Sequence, residues 1–336
     1  MKNILVTGCA GFIGSNFLPY FLDKYEEYNL INLDLLTYAG NLDNLKECDN
    51  NSRYKFIKGD ICNRELVEFI FNEYDIQGVI HFAAESHVDN SIKNPGIFIE
   101  TNVNGTFTLI DVAYKKWMNK PFEYKKNYNG CRFHHISTDE VYGTLAETGL
   151  FSEITPYAPN SPYSASKASS DMIVRSYQET YGLNTVTTNC SNNYGPKQHD
   201  EKLIPTIIRK ALAGEYIPIY GDGKNIRDWL YVLDHCKGID LVYHSGKEAN
   251  IYNIGGRNER TNLQIVDSIC TILDEKAPSE KSYKELITFV EDRAGHDRRY
   301  AIDATKLENE LGWKADEDFD SGIVKTIEWY LEKYNG

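Results

Sequence analysis

LVTGCAGFIGSNF, residues 5–17, decides the fold class. A short apolar run stops at Gly8, and Gly11 and Gly14 follow at three-residue intervals before an apolar helical stretch. This GxxGxxG spacing is a variant of the dinucleotide fingerprint. The first glycine makes the turn, the second lets a pyrophosphate approach the backbone, and the third packs helix on strand. Asp34 ends the next apolar run, 20 residues after Gly14. A carboxylate there accepts from adenosine ribose hydroxyls and repels a 2′-phosphate, which favours NAD over NADP.

Further along, short β-rich runs at 3–7, 29–33, 54–57, 78–82, 132–137 and 184–189 alternate with helical stretches near 12–25, 63–73, 95–117 and 162–181. That rhythm predicts an α/β fold: a Rossmann-like, doubly wound parallel sheet with helices on both faces. Ser161 and Pro162 suit the cap and first turn of the last helix. After about residue 195 the pattern becomes short elements and loops. We therefore expect residues 1–190 to form the NAD-binding unit with the catalytic residues. Residues 191–336 form mainly a smaller, partly discontinuous substrate lobe that closes over the C-terminal edge of the sheet, with some segments returning to the first unit.

The 336 residues carry a net charge of −13, which disfavours a nucleic-acid partner. The start, MKNILVTG, does not read as a signal peptide, and no apolar stretch approaches the ~20 residues that span a bilayer. A cytoplasmic protein is expected. The seven cysteines are scattered without metal-ligand spacing, so neither a disulfide framework nor a metal is expected.

YSASK places Tyr163 and Lys167 four residues apart, on one helix face. A lysine ammonium near a phenol favours phenolate, and the pair could take the proton of a substrate alcohol as hydride leaves for a nicotinamide. Asp60-Ile61 and FAAES (82–86) stand at strand ends, where cofactor contact and plain packing are both open. HHISTDEVYG (134–143) ends an apolar strand on Thr138, Asp139 and Glu140. Neighbouring strand residues face opposite ways, so two acids share one pocket only if the chain bends after Thr138. We expect such a bend, ended by Gly143.

Together with DLLTYAGN (34–41), AAESHVD (83–89), NNYGP (192–196), EKLIP (201–205), IRDWLYV (226–232) and GHDRRYAID (295–303), these motifs resemble the extended short-chain dehydrogenase/reductase family. Their order is similar to that in its dTDP-glucose 4,6-dehydratases, over nearly the whole chain. The resemblance implies an internal NAD redox cycle on dTDP-glucose. C4 is oxidised with Tyr163 as base, Lys167 beside it and Thr138 on the C4 oxygen. Glu140 takes the C5 proton, Asp139 protonates the leaving C6 hydroxyl, and hydride returns to C6. It places Gly8, Gly11, Phe12, Ile13, Gly14, Asp34, Thr37, Asp60, Ile61, Ala83, Ala84, Ser86, Thr101, Tyr163, Lys167 and Asn192 around NAD. Around the nucleotide sugar it places Ser86, His87, Thr138, Asn193, Lys202, Leu203, Pro218, Tyr220, Arg227, Asn262, Arg293 and His296, with the two arginines on the diphosphate.

The resemblance also implies a homodimer packed through the helices near 95–117 and 162–181. Asn90, Leu233 and Ala294 stand where such enzymes usually carry Arg, Glu and Pro. A nucleotide-sugar 4-epimerase would share the cofactor and Tyr163 but needs no acid pair. A GDP-mannose dehydratase would favour NADP, which Asp34 opposes. An NAD-binding sensor that lost its chemistry would have no use for the full set.

Overall fold

The computed structural model describes residues 1–292 and 297–335, without the side chain of Asn335. Seven parallel strands build the main sheet: β1 (Lys2–Thr7), β2 (Tyr28–Asp34), β3 (Tyr54–Lys58), β4 (Ile76–His81), β5 (Arg132–Thr138), β6 (Thr185–Cys190) and β7 (Ile251–Ile254). Their order across the sheet is β7-β6-β5-β4-β1-β2-β3. The order reverses between β1 and β4, and at such a switch point the C-terminal strand ends form the ligand crevice of open α/β sheets. The central strands are buried on both faces, which is why they read as apolar runs rather than alternating ones.

Helix α1 (Phe12–Lys24), α2 (Arg64–Glu73), α3 (Thr106–Trp117), α4 (Pro162–Tyr181) and α5 (Val232–Ser245) cover the faces. One apolar cluster gathers Val6, Phe17, Phe21, Ile80 and Ile239; another gathers Leu5, Ile31, Phe71, Trp117 and Phe133. The single helix expected over 95–117 is interrupted. A π-helical segment, Ile99–Gly105, separates Pro95–Phe98 from α3. The wider turn presents Asn102, whose amide bonds Glu85 O at 3.0 Å and Ser166 Oγ at 2.8 Å, tying the loop after β4 to α4.

β7 lies outside the strands anticipated from sequence. It and α5 come from the later half of the chain and extend the main sheet beside β6. Asp240 on α5 accepts from Lys24 Nζ at 2.6 Å and from Tyr20 Oη at 2.8 Å, which pins α5 to α1.

Two small sheets stand above the crevice. Ile226–Tyr231 pairs with Asn192–Tyr194 and Glu259–Thr261, and Ile217–Tyr220 pairs with Ile287–Val290. Helices Leu203–Leu212, Asn262–Lys276 and Phe319–Asn335 pack them around Ile207, Trp229, Ile269, Phe319 and Tyr330. Leu233 packs on both this core and the main one, so an apolar side chain fits where a glutamate is usual in the resembling enzymes.

Candidate active site

The glycine turn is sterically committed. Gly8 has φ +73°, and a Cβ there would lie 2.6 Å from Ala83 Cα; one on Gly14 would lie 2.5 Å from Cys9 Cα. Helix α1 begins at Gly11 with no side-chain cap and no acid in its first turn. Its first N–H groups therefore point to the crevice as an anion site, with Phe12 and Ile13 on that turn. Asp34 accepts from Ala10 N at 2.9 Å and from Leu36 N at 2.8 Å. Burial raises its pKa, and these two N–H donors act against that rise. The residues fit a dinucleotide: close backbone for the phosphates and a fixed carboxylate for the ribose. Asp60 turns the chain after β3 by accepting from Cys62 N at 2.8 Å, and Ile61 is buried against Gly105. Ala83 N donates to Thr7 Oγ1 at 3.2 Å, so the small residues after β4 lie against the glycine turn. Ala84 and Thr101 are half-buried, and Thr37 is exposed in the loop after β2.

The bend after Thr138 is present. β5 ends there, and Asp139–Tyr142 wind into a 3-10 turn, with Thr138 Oγ1 accepting from Glu140 N at 3.3 Å. Gly143 ends the turn at φ +92°, where its Cβ would meet Ala158 O at 2.5 Å. The turn rests on a cluster of Val141, Tyr142, Phe151, Tyr300 and Ile302. Two distant motifs thus meet: Leu145 N donates to Arg299 O at 3.0 Å, and Tyr300 N donates to Ile226 O at 3.2 Å.

Asp139 is buried. Burial first, then the charges of Glu140 and Asp228, push its pKa well above the carboxylate range, and Arg227 opposes them. Asp139 is therefore held as an acid beside Glu140. Asp228 is itself buried and pushed up to about 6, while accepting from Gly256 N and Asn258 N.

Helix α4 starts with the Ser161 cap, completed as a box by Ser164, with Pro162 in the first turn. It delivers Tyr163 beside Thr138. The pKa of Tyr163 departs from the expectation of a lysine-stabilised phenolate. Burial and the Glu140 charge raise it well above the ordinary value, and Lys167 Nζ instead donates to Ile136 O at 2.8 Å. In the protein alone the phenol stays protonated. Burial lowers the pKa of Lys167, and Asp171 opposes that fall.

The other expected residues are more dispersed. Lys202 Nζ donates to Ser86 O at 3.3 Å, and the His87 ring lies 3.9 Å from Glu201, so the 201–205 segment reaches the loop after β4. Leu203 opens its helix, Asn262 opens another, and Asn192 pairs with Trp229. Pro218 and Tyr220 lie on the outer two-stranded sheet. Asn193 has its amide engaged by Ser191 O at 2.9 Å and His235 Nδ1 at 2.9 Å. Arg227 stacks 4.2 Å over Tyr300 and donates to Ile226 O and Asp297 O, which brings it beside Asp139. Asn90, one of the three departures, lies beside Tyr38 and donates its backbone N–H to His87 Nδ1 at 3.4 Å. Arg293, Ala294 and His296 lie outside the described residues.

Sequence reasoning missed Asn102, Asp171 and Asp228. Asp171 stands four residues after Lys167, the same spacing that joins Lys167 to Tyr163, and that repeat was the available signal.

The family model described as GDP-mannose 4,6 dehydratase matches residues 5–326. A dTDP-glucose 4,6-dehydratase of Escherichia coli is 53% identical over 341 aligned residues, covering 99% of this chain and 93% of that protein. The solved Bacillus anthracis dTDP-glucose 4,6-dehydratase, in complex with NAD, is 48% identical with TM-score 0.87, covering 100% of this chain and 98% of that one. The Streptomyces venezuelae enzyme of the same name, also solved with NAD, is 42% identical with TM-score 0.89, covering 99% and 98%. With the acid turn, the Tyr163–Lys167 helix and the glycine turn assembled at one sheet edge, this chain belongs to the dTDP-glucose 4,6-dehydratase family.

Proposed function

We propose that the protein is an NAD-dependent hydro-lyase that converts dTDP-glucose to dTDP-4-keto-6-deoxyglucose. The observation that carries this reading is the burial of Asp139, held protonated beside Glu140 at the end of β5. Elimination of water needs one carboxyl that gives a proton and one that takes one, at the same pH.

NAD supplies the acceptor for the C4 hydride and the donor that returns it to C6. The glycine turn, the α1 N-terminus and Asp34 hold it. Tyr163 takes the C4 hydroxyl proton, and Thr138, beside that phenol, orients the same oxygen. The C4 ketone acidifies C5–H. Glu140 takes the C5 proton while Asp139 gives its proton to the C6 oxygen, and the C6–O bond breaks. The protons taken by Tyr163 and Glu140 balance the one that leaves in water and the one that returns to C5. Arg227 and Lys202 line the substrate side, with Asn193, Asn262, Pro218 and Tyr220 further out on the upper lobe.

The same proposal includes a cytoplasmic enzyme and a homodimer. All seven cysteines are free thiols, as in a reducing compartment. Ile97, Ile99, Phe107 and Met172 are exposed apolar side chains on the two helical segments that would form the dimer. Light scattering giving only monomer would remove the dimer.

The function is tested by incubating the protein with dTDP-glucose in D2O and weighing the product. Loss of one water with deuterium at C5 is expected. Unchanged substrate, or sugar merely inverted at C4, overturns the reading.

A further inference from the structure

We infer that Asp171 is a positioning residue for this reaction: one helical turn beyond Lys167, it is the buried counter-charge to that lysine and locks the acid-bearing strand onto the catalytic helix. The inference rests on the dehydratase reading above and adds a residue to it. Asp171 lies one helical turn beyond Lys167 and is buried. Its Oδ2 accepts from Ser137 Oγ at 2.9 Å and from Tyr157 Oη at 2.9 Å, and its Oδ1 lies 3.0 Å from His135 Nε2. Lys167 Nζ holds Ile136 O between those two strand residues. Two successive residues of β5, Ile136 and Ser137, are thus fastened to α4 directly before the turn that carries Asp139 and Glu140, and the neutral His135 ring packs against the same carboxylate.

On β5 and β4, His135 and His81 are driven neutral by burial, and the Lys167 charge adds to that in both. On β6, burial pushes up the Cys190 thiol, so it is uncharged. Before the helix, burial and the Asp171 charge hold Tyr157 protonated. Arg175, one turn further along α4, pairs at the surface with Glu179 at 3.1 Å. A cavity of about 250 Å³ reaches Asp171 past Glu153, whose pKa burial raises. Asp171 is pushed up to about 6 by burial, with Lys167, Ser137 and Tyr157 acting against the rise. Above that pH it is the negative charge that opposes the desolvation of Lys167.

The test is the pH profile of kcat for the full-length enzyme and its Asp171→Asn and Asp171→Glu variants. Asp171→Asn should leave KM within about threefold and move the alkaline limb down by about one pH unit or more. Asp171→Glu should keep the limb near its wild-type place. A purely structural role lowers kcat evenly and moves no limb, and that result overturns the inference. If Asp171→Asn does not fold, Tyr157→Phe removes one donor to the carboxylate. It should move the acid limb up, and an unmoved limb overturns the inference. Wild-type protein inactive on dTDP-glucose would fail the dehydratase reading instead. The ionisation of Lys167 is then read from its side-chain nitrogen by NMR: a titration at lower pH in Asp171→Asn supports the inference, and an unchanged titration overturns it.

Discussion

Thr138 caps the turn that follows it: its hydroxyl accepts from the N–H of Glu140 at 3.3 Å and stands beside the phenol of Tyr163. One side chain therefore both bends the strand and stands next to the base. The bend is what lets Asp139 and Glu140, adjacent in sequence, serve one pocket.

Replacing either acid should stop elimination and spare binding. Asp139→Asn keeps the shape of a neutral buried carboxyl but has no proton to give. Glu140→Gln cannot take one. Each should lower kcat by about 10²–10⁴-fold with little change in KM. Steady-state kinetics with each variant checks this, with circular dichroism as the folding control.

Tyr163→Phe should abolish oxidation at C4, with kcat down by about 10²–10⁴-fold. In the wild type the pKa of the phenol is raised in the free protein. The base form therefore grows with pH, and kcat/KM should rise with pH through the neutral range. A kcat/KM that falls over that range would contradict the assignment of base.

Gly8→Ala should damage cofactor binding and stability together. The site combines φ +73° with a Cβ position 2.6 Å from Ala83 Cα, and that neighbour is backbone that cannot step aside. A loss of about 1–3 kcal/mol is expected from the strain. Thermal unfolding with and without NAD measures both effects.

Asp240→Asn should loosen α5 from α1. Asp240 is buried and accepts from Lys24, Tyr20 and Tyr25, and hydrogen bonding with His244 and Lys24 lowers its pKa despite burial. Removing the charge should cost about 1–3 kcal/mol at neutral pH. Because the folded pKa is depressed, this stability is present above the unfolded value and is lost as pH falls through the folded one. The wild-type and variant stabilities should therefore converge below about pH 4. Denaturant titrations across that range test it.

Much of this was legible in the chain. The glycine spacing with Asp34 placed the sheet's first turn, because backbone approach leaves a residue-type signature. The acid turn was foreseen at Thr138 because strand geometry forbids two adjacent acids from facing one way. β7 was not foreseen: residues 251–254 are a four-residue run whose partner, β6, lies some sixty residues earlier, and no local pattern encodes that pairing. The raised Tyr163 pKa was missed for a related reason. Sequence shows Lys167 beside it on the helix, but burial and Glu140 outweigh a lysine that turns to Ile136 O.

The most direct test of the internal cycle uses dTDP-glucose deuterated at C4, in ordinary water. The account predicts a 4-keto-6-deoxy product that carries the deuterium at C6. Product with the label lost to solvent, or substrate recovered with the label still at C4, would contradict it.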